Sequence, residues 1–245
     1  MLIYGINAVT EALRAGRVVS LRTGKRSDRR LLELIAQAEQ SRIPIRRVSD
    51  QELDRESGAS SHQGVIADVK ESEAYDLDDL IRDAPPPALL VVLDGIEDPH
   101  NFGAIVRSVD AAGAHGLVRQ TRHSAPLGGP TSKASAGALS HVKIADVVNI
   151  ARAIDELKNA GIWTVGLAAD APQSYDKIDF TVPSAVVLGA EGTGLRRLVR
   201  ERCDMLASIP MKGHVDSLNV SVAAGVVLFE AVRQRGPARP PKSSV

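Results

Sequence analysis

The sequence predicts an α/β protein, with a mainly parallel sheet following a smaller α/β unit. Three observations point there. From residue 88 onward, short apolar runs alternate with segments of helical periodicity, the pattern of a parallel sheet covered on both faces. The first 70 residues carry their own alternation of strand-like and helix-like stretches. Between the two lies a stretch rich in acidic residues that ends in Pro85-Pro86-Pro87.

In the first 70 residues, Ile6, Val9 and Leu13 fall on one stripe of a helix over 5–14. Val18–Arg22 reads as a strand. Ser27 is placed to cap a helix through Gln40, with Leu31, Leu34, Ile35 and Ala38 spaced for burial. Ile43–Val48 and Val65–Val69 alternate like strands, and Ser49-Asp50 opens a short helix between them. A unit this small needs tight packing or a neighbour to reach useful stability.

Residues 71–87 combine six acidic side chains, from Glu71 to Asp83, with the proline run, and are expected to form an extended linker. Beyond it come a strand at Leu89–Leu93, a helix at Asn101–Ala112 stopped by Gly113, and a strand at Gly116–Val118. Helices are expected at Ser132–Leu139 and Asn149–Ala160, with strands at Ile162–Leu167, Ala185–Leu188 and Leu206–Ile209. Ser217–Arg235 reads as a long apolar helix. The last residues, 237–245, hold three prolines and two serines and are expected to be a disordered tail.

Composition narrows the function classes. The longest apolar runs fall far short of the roughly 18 residues of a membrane span. The N-terminus lacks a basic-then-apolar signal pattern, and the single cysteine, Cys203, excludes a disulfide framework or a cysteine-rich zinc site. A cytoplasmic location is expected. Net charge is zero, yet residues 1–50 hold ten Lys/Arg against five Asp/Glu, while 51–98 hold three against thirteen. A basic region ahead of an acidic one suggests an anionic partner. With aromatic residues at 3%, such a partner is held through phosphates, sugars and shape rather than on an aromatic stacking platform.

Three segments carry candidate chemistry, each at the end of a strand-like run, where open α/β sheets bind ligands. In Asp98-Pro99-His100-Asn101-Phe102-Gly103, Pro99 suits a helix entry and Asn101 a cap. Arg107 follows two turns later among Ala104, Ile105 and Val106. An Arg among buried neighbours needs an anionic partner, either an internal carboxylate or a substrate phosphate, for which its planar fork is well shaped. The second segment, Gly189-Ala190-Glu191-Gly192-Thr193-Gly194, is not a dinucleotide fingerprint, because a carboxylate stands where pyrophosphate would sit. That carboxylate suits hydroxyl, amide or ammonium groups, and so an adenosine-and-amino-acid cofactor. In the third, Ile209-Pro210-Met211 leads to Ser217-Leu218-Asn219-Val220-Ser221, with Ser217 as helix cap and with Asn219 and Ser221 needing hydrogen-bond partners if buried. The six histidines show no metal-ligand spacing, and Cys203 lacks a neighbouring base that would make it a nucleophile.

Together these segments resemble the SpoU (TrmH) family of RNA ribose 2'-O-methyltransferases. The similarity extends from Tyr4-Gly5-Ile6-Asn7-Ala8-Val9 through His62-Gln63-Gly64-Val65 to Phe229-Glu230-Ala231-Val232-Arg233, and is nearest to the RlmB type, which methylates a guanosine of 23S ribosomal RNA. The resemblance implies an N-terminal RNA substrate-binding domain over 1–70, similar to ribosomal protein L30e. It also implies a C-terminal SPOUT methyltransferase domain over 88–236 with a deep trefoil knot, working as a homodimer without metal or membrane. S-adenosyl-L-methionine would be the methyl donor. Carried over residue by residue, Gly189, Gly192, Ile209, Met211 and Leu218 would cradle it. Asn101, Arg107, Glu191, Ser217 and Asn219 would line the reaction centre. Guanidinium scarcely deprotonates in proteins, so positioning phosphate or stabilising charge is easier to defend for Arg107 than acting as a base.

The stretch from Arg119 to Pro130 is glycine-rich and departs from the family pattern, and Pro130 is expected to shorten the helix that follows. Two alternatives stay open: a transfer RNA ribose methyltransferase of the same family, and a non-catalytic RNA-binding assembly factor on the same scaffold.

Overall fold

The computed structural model describes residues 1–26, 28–58, 62–70 and 75–236. The chain divides into two units: 1–74 with 97–107 and 125–142, and 75–96 with 108–124 and 143–245.

In the first unit, strands β1 (Leu2–Tyr4), β2 (Val18–Thr23), β3 (Ile45–Arg47) and β4 (Val65–Val69) form one sheet in the order β1-β4-β2-β3. The β1–β4 and β2–β4 pairs are antiparallel and β2–β3 is parallel. Helices α1 (Ile6–Arg14) and α2 (Arg29–Gln40) bury Val9, Ala12, Leu31, Leu34 and Ala38 in one core with Leu21, Val65 and Ala67. The cap of α2 is Asp28, whose side chain accepts from the Leu31 N–H at 3.1 Å. The predicted cap, Ser27, lies outside the described residues. Ser49 caps α3 (Asp50–Ser57) as expected, accepting from the Glu52 N–H.

The stretch expected to be an extended linker differs. Its first residues, 71–74, lie outside the described residues. Leu77–Asp83 forms helix α4, closed by a reciprocal cap in which Asp76 accepts from the Asp79 N–H and Asp79 from the Asp76 N–H. Leu77 and Leu80 are buried in the core of the second unit. Burial of a leucine stabilises by about 1.5–3 kcal/mol, and the acidic residues read as linker-like supply the cap and favourable charge at the helix start.

The second unit is built on a wholly parallel seven-stranded sheet in the order β7-β6-β5-β10-β8-β11-β9. Its strands are β5 (Leu89–Asp94), β6 (Gly116–Gln120), β7 (Ile144–Val147), β8 (Trp163–Leu167), β9 (Gln173–Ser174), β10 (Ser184–Gly189) and β11 (Met205–Ser208). Both β5 and β10 are buried along their whole length, which explains their continuous apolar runs. The chain builds outward from β5 to β7, returns on the other side at β8, and then sets β10 between β5 and β8. Such reversals of strand order create the crevice where α/β sheets take ligands.

Helices α7 (Ile150–Asn159), α8 (Arg197–Arg202) and α9 (Val220–Arg235) belong to this unit. Helix α9 starts at Val220 rather than at Ser217, because Asn219 is its cap: the side-chain oxygen accepts from the Ser221 N–H at 2.9 Å. Helix α5 (Pro99–Ala111) starts at Pro99, with Asp98 accepting from the His100 N–H at 3.0 Å. Asn101 therefore sits inside the first turn instead of capping it. The helix expected over 132–139 is two pieces, α6 (Gly129–Ala134) and a 3₁₀ turn over Ala138–Ser140. Pro130 stands in the first turn of α6, where a missing N–H costs nothing; it opens that helix rather than shortening it.

Candidate active site

A cavity of about 410 Å³ lies at the carboxyl ends of β8, β10 and β11. That volume suits a cofactor-sized ligand. Eight of the ten sequence-predicted site residues line it: Gly189, Glu191, Gly192, Ile209, Met211, Ser217, Leu218 and Asn219. Asn101 and Arg107 are on α5 in the first unit and are not among its lining residues.

The wall at the end of β10 is made by a tight reversal. Gly194 N–H donates to the Ala190 carbonyl at 2.8 Å, and Gly192 and Gly194 take positive φ of 79° and 67°, which side chains disfavour. Gly189 is glycine for a different reason: a Cβ there would lie 2.1 Å from the Gly194 carbonyl carbon and 2.3 Å from the Leu195 nitrogen. The reversal holds Glu191 exposed at the cavity, while Leu188, Ile209, Met211 and Val220 give it an apolar lining.

The reversal is anchored by a pair that the sequence reading missed. Asp94, the last residue of β5, pairs in register with Gly189, and its side chain is wholly buried. It accepts from the Arg196 backbone N–H at 2.9 Å and from Arg196 Nε at 2.6 Å, closing the loop that carries Glu191. The Arg196 side chain is half exposed, so solvent screens the ion pair, and the wholly buried Asp94 carboxylate depends as much on the Arg196 backbone N–H as on the guanidinium. The sequence signal was a carboxylate ending an otherwise apolar strand, a position that demands a partner.

On α5, Asn101 is buried, as are Phe102, Ile105 and Val106. Arg107 is exposed and, among the described residues, has neither an ion pair nor a side-chain hydrogen bond. This corrects the expectation that it is buried among its neighbours and leaves no carboxylate among the described residues to hold it. Ser217 and Asn219 are likewise exposed. Gly103 packs so closely that a Cβ would meet Ala134 Cβ at 2.5 Å, which fixes α6 against the first turn of α5. Burial, and after it the charge of Asp204, pushes the Cys203 thiol up to about 12, so it is not a nucleophile at neutral pH. No group of His, Cys, Asp and Glu side chains among the described residues could hold a metal ion.

Comparison with known proteins places this geometry. The sequence pattern of the SpoU rRNA Methylase family matches residues 88–229, and that described as RNA 2'-O ribose methyltransferase substrate binding matches residues 2–75. The chain is 46% identical over 241 residues to the 23S rRNA (guanosine-2'-O-)-methyltransferase RlmB of Escherichia coli K12, covering 96% of this chain and 98% of that protein. It is 44% identical over 238 residues to the RlmB of Ralstonia nicotianae, covering 96% of each. The crystal structure of the SpoU methyltransferase AviRb from Streptomyces viridochromogenes in complex with the cofactor AdoMet superposes with a TM-score of 0.81 at 30% identity, covering 96% of this chain and 90% of that one. A pattern matching more than half of the chain, with relatives of this identity along nearly all of it, establishes that the chain belongs to the SpoU rRNA Methylase family.

Proposed function

We propose that this chain transfers a methyl group from S-adenosylmethionine to the ribose 2'-hydroxyl of a guanosine in 23S ribosomal RNA. The observation that carries this reading is the cavity at the ends of β8, β10 and β11, which gathers Glu191, Met211 and Asn219 in a chain similar from end to end to enzymes of that activity. The residues present fit the donor. Leu188, Ile209, Met211 and Leu218 offer apolar surface to an adenine ring, and Glu191 suits hydroxyl or ammonium groups. When bound, the donor supplies an electrophilic methyl on sulfonium.

The chain's own residues supply the rest. Ser217 and Asn219 are proposed to orient groups at the mouth of the cavity. Arg107 is proposed to grip an RNA phosphate and to stabilise charge on the 2'-oxygen as its proton passes to solvent water and the methyl moves from sulfonium to oxygen, without acting as the base. Residues 1–70 are proposed as the L30e-like substrate-binding domain and 88–236 as the methyltransferase domain. A deep trefoil knot in the latter belongs to the same reading, supported by the family resemblance. A cytoplasmic location belongs to the same reading, since the substrate is ribosomal RNA. Among the described residues, no helix is long and apolar enough to cross a membrane.

The test is methylation of transcripts. With S-adenosylmethionine, the protein is expected to add one ribose methyl to a guanosine of 23S RNA and none to transfer RNA, read by 2'-O-methyl mapping. Modification of transfer RNA alone would favour the transfer RNA alternative, and RNA binding without methylation the assembly-factor one.

The same reading includes a homodimer. Helix α9 exposes Val222 and Phe229 at 51% each, one i,i+7 stripe of apolar surface. Such a stripe is the kind of surface a partner covers. Light scattering at micromolar concentration is expected to give twice the 26.0 kDa chain mass, and Phe229→Glu to shift it toward the monomer. A wild-type protein that stays at the single-chain mass would overturn the dimer.

A further inference from the structure

We infer that the first unit carries a nucleotide subsite for single-stranded RNA in the cavity between the β2–α2 loop and the β3–α3 loop, an inference that rests on the RNA-substrate reading above. The cavity has a volume of about 630 Å³ and lies wholly within the first unit. Its floor is aliphatic: Ile35 and Val48 are half-buried, and Leu32 is 51% exposed on α2, a large apolar side chain held in water at the site. Its rim is cationic. Lys25, Arg26 and Arg47 are exposed there, and none of the three has an ion pair or side-chain hydrogen bond among the described residues. The lining carboxylate, Glu52, is engaged by Arg46 at 3.4 Å, and nearby Asp50 lies against Gly24.

Five of the nine other Arg side chains of this unit have partners, and the four without one among the described residues, Arg30, Arg42, Arg55 and Arg107, do not line this cavity, so the rim is set apart by its clustering. Arg14, Arg22, Arg29 and Arg46 are paired with carboxylates, and Arg17 donates to backbone carbonyls. Three unneutralised cations around an aliphatic floor match the two faces of one nucleotide. The phosphates on either side take the cations. The base lies flat on Leu32, Ile35 and Val48, which exclude water from its face without reading its edge. A duplex hides its base faces in the stack, so the occupant is an unpaired nucleotide. A base packed on aliphatic side chains is chosen for being unpaired and not for its identity, so this subsite contributes affinity and register rather than base specificity.

The experiment uses the full chain, with S-adenosylmethionine and a protein-free 23S RNA transcript. A triple variant Lys25→Ala, Arg26→Ala, Arg47→Ala is compared with a control, Arg42→Ala, Arg55→Ala, Lys70→Ala, which removes the same charge elsewhere in the unit. The rim variant is expected to raise KM for RNA about tenfold or more and leave kcat within about twofold. Its log–log salt dependence of binding should flatten by about two, as for three lost single-strand phosphate contacts. Leu32→Asp should raise KM several-fold, and Leu32→Met should retain wild-type KM. S-adenosylhomocysteine affinity, read by calorimetry, should stay unchanged in every variant, and far-UV circular dichroism and the denaturation midpoint should match wild type and so report an intact first unit. Equal losses in the rim and control variants, or an unchanged KM in the rim variant while wild type methylates the transcript, would overturn the subsite. Failure of the wild-type protein to bind or methylate RNA would instead overturn the underlying reading.

Discussion

Replacing Arg107 by alanine is expected to lower methyl transfer by about two to three orders of magnitude, the loss seen when one preorganised charge partner is removed from a reaction centre. Stability should hardly change. The side chain is exposed and makes no ion pair among the described residues, so its removal strands no buried charge. S-adenosylhomocysteine affinity should stay within about twofold, because Arg107 is on α5 and does not line the cavity proposed for the donor. The loss falls on kcat if the charge is used as the 2'-oxygen becomes negative. Arg107→Lys should recover only part of the rate, since an ammonium keeps the charge and loses the planar fork. A variant that unfolds at markedly lower denaturant, yet turns over normally per folded molecule, would show the residue to be structural.

Gly189→Ala is the second large effect. The added methyl would sit about 2 Å from the backbone of Gly194 and Leu195, and no side-chain rotation relieves a clash with backbone. Overpacking of this kind costs about 1–3 kcal/mol when side chains can give way, and more when they cannot. The reversal that carries Glu191 must therefore move, or β10 must part from β5. S-adenosylhomocysteine affinity is expected to fall at least about 100-fold, together with a clear drop in the denaturation midpoint. Gly192→Ala makes the useful contrast. Nothing lies within 4 Å of its would-be Cβ, so the cost is only that of a left-handed backbone, about 1–2 kcal/mol. Equal cofactor affinities in the two variants would mean that the close backbone approach at Gly189 is not what shapes the cavity.

Local sequence alone determined the elements whose periodicity survives in the structure. Strands β5, β8 and β10 were visible because burial demands apolar runs, and α1, α2 and α7 because one face of each packs on a core. The cavity residues were visible as glycine and polar clusters at strand ends, and eight of the ten converge. Other features depended on partners distant along the chain. Strand β1 is three residues long and exists through pairing with β4, some 60 residues away, and β9 is shorter still. Helix α4 was hidden in an acidic stretch because only two of its side chains, Leu77 and Leu80, are fully buried, with Ile81 packed beside them. The Asp94–Arg196 anchor joins residues 102 apart, which no local pattern reveals. Nor could the exposure of Arg107 be read from its apolar neighbours, since a helix turns one residue to solvent and the next to the core. Sequence thus showed which polar and glycine residues stand at the strand ends, because side-chain type is local information. Tertiary structure decided which of them meet, because strand order is set by non-local burial and hydrogen bonding.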